Sequence, residues 1–226
     1  MPRARSAAYK MRPEVARYLA PGVTYDPLRQ PLYDAVRFTA TIAAGTTQAF
    51  FTLPVGQGTG LGGAAKTELD TNLRLAGQLP ANHVAEVWSP RVVVAFDTIQ
   101  SADIPAVNQA AENMNDILYG AFLRFRIVSQ EKLLCPIFYL PAGAGAVGVF
   151  QGFQAAAASF QGAVFTNGEP NQMAPQRLDP FPVVIPPLQA FQVEITFVRA
   201  VTFAAAVGGI LIWVVLDGIV HRPALP

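Results

Sequence analysis

The sequence predicts a mainly β chain, an antiparallel β-sandwich, and three observations point to it. Apolar and polar residues alternate with period two, most cleanly where Phe191, Val193, Ile195 and Phe197 are interleaved with Gln192, Glu194 and Thr196. Glycine- and proline-rich turn signals separate such runs from one another. Only residues 105–119 carry a persuasive apolar stripe at helical spacing, so the strand–helix alternation of a parallel fold is missing.

Residues 1–34 read as an extended, basic N-terminal arm. Pro2, Pro13, Pro21, Pro27 and Pro31 punctuate it, and proline interrupts both helix and ladder hydrogen bonding. A short helix over residues 13–19 fits between these breaks. From residue 35 the period changes, as Val36, Phe38, Ala40 and Ile42 alternate with Arg37, Thr39 and Thr41. Ala44-Gly45 then turns the chain into residues 47–53, which Pro54 ends. The run GQGTGLGGAA at 56–65 holds five glycines and reads as a flexible surface loop. Residues 84–88 and 91–96 form a strand interrupted at Ser89-Pro90, and proline there implies an edge position or a bulge.

The helix at 105–119 starts on Pro105, with Ser101 or Asp103 as cap, and ends at Gly120. Val107, Ala111, Met114 (or Asn115) and Leu118 give it its stripe. Residues 122–129 alternate as a strand, and 132–140 follow after a turn at Gln130-Glu131. Residues 141–168 are rich in Gly, Ala, Phe and Gln; within them GFQAAAASFQGAVF, 152–165, fits either a helix or a strand pair, and Asn167-Gly168 is a turn dipeptide. Residues 181–185 are extended between prolines, 191–197 form the cleanest strand, and 210–216 and 219–221 complete the set around Asp217-Gly218. The chain therefore divides into the arm, 1–34, and a single domain, 35–226. About eight strands in two sheets is the number of a jelly roll.

Composition favours packing over catalysis. Of 226 residues, 52% are hydrophobic and only 14% charged, against roughly 25% charged in ordinary soluble domains. Apolar surface left uncovered by charge marks contact with a partner. The low-charge region supplies Phe150, Phe153, Phe160 and Phe165 as candidate subunit-interface residues. Residues 1–30 carry a net charge of +4 and the rest of the chain −3. A basic arm on a weakly acidic body suits contact with a polyanion or an acidic neighbour, and Arg3, Arg5, Lys10, Arg12 and Arg17 are its candidates.

Each catalytic motif sought lacks a part. Gly60 to Lys66-Thr67 nearly mimics a phosphate-binding loop, but Ala65 stands where glycine is required before the lysine, and an acidic, polar stretch follows. Two histidines, His83 and His221, are too few for a histidine-rich metal site, so no metal or other cofactor is expected. Cys135 sits among Leu133, Leu134, Pro136 and Ile137, a setting for a buried, inert thiol. The carboxylates Glu68/Asp70 and Asp97/Asp103 lie in polar loops where a solvated surface is the default. Trp213 sits within an apolar run, which argues against a place in an exposed binding groove. Residues 200–216 carry no charge, yet they are shorter than the roughly 20 residues of a membrane helix and are split by Gly208-Gly209. The basic N-terminus has no following apolar segment of a secretory signal, so synthesis in a cytoplasm is expected.

Several stretches resemble the jelly-roll coat proteins of icosahedral bacteriophages. They are YDAVRFTATIAAGTTQAFFTLPVG, TELDTNLRLAGQLPANHVAEVWSPRVVV, DPFPVVIPPLQAFQVEITF and the ending IWVVLDGIVHRP, together about half of the chain. The resemblance implies a non-enzymatic capsid subunit that self-assembles into a shell, contacts copies of itself and other virion proteins, and extends its arm to neighbours or to the inner surface, where an inward-facing arm would meet the packaged genome. Its location would be the virion after synthesis in the host cytoplasm, without membrane contact. A lectin-like decoration or receptor-binding module on a virion surface is the alternative.

Overall fold

The computed structural model describes residues 12–96, 104–151, 163–170, 177–178, 180–203 and 209–224. The chain is mainly β, with two antiparallel sheets facing each other across one core. In order it forms α1 (Pro13–Ala16), β1 (Tyr25–Leu28), β2 (Leu32–Phe38), β3 (Thr47–Phe50), β4 (Val84–Phe96), α2 (Ile104–Gly120), β5 (Ala121–Ile127) and β6 (Gln130–Pro136). A 3-10 turn at Ile137–Tyr139 leads into β7 (Gly143–Gln151) and β8 (Ala163–Pro170). The chain closes with β9 (Val183–Ile185), β10 (Phe191–Phe197) and β11 (Ile210–Pro223).

One sheet runs β1-β11-β4-β9, with β2 also paired to β11; the other runs β3-β10-β5-β6. β7 and β8 form a separate two-stranded ribbon; of the stretch open between helix and strand pair, residues 163–165 lie in β8 and 152–162 lie outside the described residues. Asn167, expected in a turn, is a rung of that ribbon opposite Val147.

The alternation that predicted β5 and β10 is what buries them. Leu123, Phe125 and Ile127 and Phe191, Val193, Ile195 and Phe197 point into the core, while Arg124, Arg126, Gln192 and Glu194 stay half-exposed. From the other sheet Val87, Val92, Val94, Ile210, Ile212, Val214 and Leu216 join the same cluster. Phe38 and Phe197 meet edge to face across the layers at 5.6 Å.

Two expectations change. The arm's boundary at residue 34 falls inside β2, and Tyr25–Leu28 is already a strand, in register with Val220–Pro223. Pro27 is tolerated because β1 is an edge strand that needs no donor on its outer side. β4 is not broken at Ser89-Pro90: it runs for 13 residues. The irregularity is a bulge against β11, where Asp217 pairs Ser89, Gly218 pairs Val87, and Trp88 is the extra residue. A Cβ at Gly218 would collide with the Glu86 carbonyl, so only glycine allows this approach. The uncharged stretch before residue 216 ends in β11, and among the described residues no helix is long and apolar enough to cross a membrane.

Candidate functional site

The glycine-rich loop is pinned rather than flexible. Lys66 is 5% exposed and its Nζ lies 2.5 Å from Asp34 Oδ1 and 2.9 Å from the Ala35 carbonyl. The other Asp34 oxygen accepts from the Phe51 amide at 2.6 Å. Burial drives the Asp34 carboxyl above its ordinary value, with the Lys66 and Phe51 bonds acting in the opposite direction. The lysine of the near-phosphate motif therefore points into the protein and ties the loop to β2.

Asp70, expected to be solvated, is buried as well. It accepts from the Leu61 and Thr67 amides at 2.7 and 2.6 Å and from the Thr67 hydroxyl at 2.9 Å. Burial alone would raise its carboxyl; these bonds and Lys66 hold it below the usual value. A phosphate entering this loop would meet two carboxylates and no exposed ammonium, so the sequence's near-match is an internal clip.

A second cluster lies on the outer face of β4. Ala85 and Val87 face the core, which places Glu86 on the opposite side, where it is nevertheless fully buried. Its carboxylate accepts from Trp88 Nε1 at 2.8 Å, pairs with Arg12 Nε at 3.0 Å, and faces His221 Nε2 at 3.7 Å. Arg12 also donates to the Pro180 carbonyl at 2.9 Å, and Val15 of α1 is fully buried. Residues 12–16 are thus fastened to the sheet by a buried charge. Burial lowers the His221 pKa, opposed by Glu86.

These contacts sort the candidates from the sequence. Arg12 is an intramolecular ion-pair partner rather than a surface cation, because Glu86 requires a counter-charge once it is desolvated. Arg17 is exposed, with its guanidinium 5.8 Å from the Tyr18 ring centre. Arg3, Arg5 and Lys10 lie outside the described residues, as do Phe153, Phe160, Asp97 and Asp103. Phe150 is in register with Val164, and Phe165 with Val149, so both belong to the β7–β8 ribbon. Cys135 is buried and its thiol is pushed up to about 11 by burial. Among the described residues no group of three His, Cys, Asp or Glu side chains is placed to hold a metal ion.

A cavity of about 350 Å³ opens beside Tyr33, between the 66–83 loop and the end of β11. Sequence reading missed it, because its walls come from four separated segments and their polar residues look individually like solvated surface. No family model matches the chain, and no curated protein or solved structure is similar to it.

Proposed function

We propose that this chain is a structural virion protein, a self-assembling capsid subunit of an icosahedral phage built on a jelly roll. The observation that carries the reading is the strand order. Taking β1 and β2 as one interrupted strand along β11, one sheet joins the first strand to the last, then the third and sixth. The other joins the second to the seventh, then the fourth and fifth. The ribbon β7–β8 is then an insertion between the fifth and sixth strands. Eight strands in this nested order support a reading as two Greek keys, the pattern of a jelly roll.

The low charge content, the basic N-terminus and the phenylalanines of the 141–168 region support subunit packing, with copies of itself and other virion proteins as partners. Arg3, Arg5, Lys10 and Arg17 are the arm residues offered to packaged nucleic acid, since Arg12 is engaged by Glu86. A decoration or receptor-binding module is the second reading, favoured by the polar cavity beside Tyr33. Sedimentation velocity across a concentration series separates the two. Cooperative growth into large species supports the coat subunit, and a concentration-independent species of 24.2 kDa counts against it.

A further inference from the structure

The geometry points to the cavity beside Tyr33 as a binding site for a carboxylated sugar, of the uronic or sialic acid class. The inference stands whether the chain builds a shell or decorates one. At about 350 Å³ the cavity falls within the size range of small-ligand sites, roughly 300–1,000 Å³. Its floor is apolar: Leu32, Leu73, Leu79 and Val220 are all buried. The polar part of the lining comes from Gln30, Tyr33, Glu68, Arg74, Gln78, His83 and Arg222.

This lining selects a chemistry. Two guanidinium groups line the cavity, and the forked geometry of arginine suits a ligand with one carboxylate. Both arginines are held only by exposed carboxylates, Arg74 by Glu68 at 2.6 Å and Arg222 by Asp26 at 3.4 Å. Such pairs are weak in water, so a ligand carboxylate competes with them on favourable terms.

The remaining groups include both donors and acceptors, as hydroxyl groups require. Glu68 and the amide oxygens accept, and the amide nitrogens donate. His83 Nδ1 donates to the Ala81 carbonyl at 3.1 Å, which fixes the ring in the wall. Tyr33 donates its hydroxyl hydrogen to the Glu68 carbonyl, and its oxygen keeps lone pairs for a ligand. Asn72 is already spent on the Tyr33 amide and the Pro31 carbonyl and serves to fix the wall. A bare phosphate would use the arginines and leave the amides, the rings and the apolar floor without a role.

Calorimetric titration of the full chain with glucuronate, N-acetylneuraminate, methyl glucoside and inorganic phosphate tests this. The expected result is millimolar affinity for at least one of the acidic sugars. Methyl glucoside and phosphate should bind at least tenfold more weakly, and the double variant Arg74→Ala/Arg222→Ala should lose at least tenfold in affinity for the acidic sugar. Both arginines are exposed, and an unchanged urea midpoint would show that the double variant folds. A second variant, Gln78→Ala, should weaken the acidic sugars without creating phosphate binding. No heat at 10 mM sugar, equal affinity for phosphate, or full retention of binding in the double variant would each overturn the assignment. None of these outcomes bears on shell formation, which sedimentation reads independently.

Discussion

Lys66 and Asp34 form an ion pair at 2.5 Å with both side chains almost fully buried, and this pair closes the glycine-rich loop onto β2. Removing one partner leaves a desolvated charge, which costs about 3–5 kcal/mol in buried pairs. Lys66→Met should therefore lower the unfolding free energy by about that amount in urea titrations. The double variant Lys66→Met/Asp34→Asn should lose less than the sum of the two single losses, because it strands no charge. Equal stability of Lys66→Met and the parent chain would refute the clip.

Acid should destabilise the protein through His221. Burial, opposed by Glu86, holds its folded-state pKa below 6.5. The unfolded chain therefore binds a proton that the folded chain resists, and stability falls as pH drops from 6.5 toward the folded value. The urea midpoint measured at pH 7.5 and 5.5 should decrease at the lower pH, and His221→Gln should flatten that decrease. A His221→Gln variant with the parent's full pH dependence over this window would show that other groups carry it.

Gly218→Ala should destabilise by about 1–3 kcal/mol, the usual cost of forcing an added methyl into a packed site. The obstacle is the Glu86 carbonyl, a backbone atom that no rotamer change moves aside. Thermal unfolding checks this, and the loss should exceed that of an alanine at Gly62, where a Cβ meets nothing within 4 Å.

The N-terminal segment should detach when its anchor is removed. Arg12→Glu places a carboxylate against Glu86, so limited proteolysis near Tyr18 should accelerate while the far-ultraviolet spectrum of the sheets is retained. Unchanged cleavage kinetics would mean that Val15 alone holds the segment.

What was legible in the sequence tracks how local the cause is. β10 was readable to its end residues because Phe191 to Phe197 alternate without exception and one face is buried along its whole length. α2 was readable within a residue at each end, since Pro105 and Gly120 mark it. β1 was not, because Pro27 argues against a strand until the edge of β11 is known to lie beside it. Asp217-Gly218 looked like a break, and only the extra residue Trp88 on the partner strand makes it a bulge. The glycine loop looked flexible because its anchor, Asp34, lies 32 residues earlier in the chain. The Glu86 cluster draws Arg12 and His221 from distant points to the side of β4 that carries Trp88, and no spacing in the sequence announces it.

We propose that copies of this β chain assemble into a closed shell. Electron cryomicroscopy of the chain expressed alone, purified at increasing concentration with and without nucleic acid, tests it most directly. The account predicts closed particles of icosahedral symmetry, or curved arrays of the same subunit, with the two-sheet domain as the repeating tile. Monodisperse 24.2 kDa monomers under every condition would contradict it.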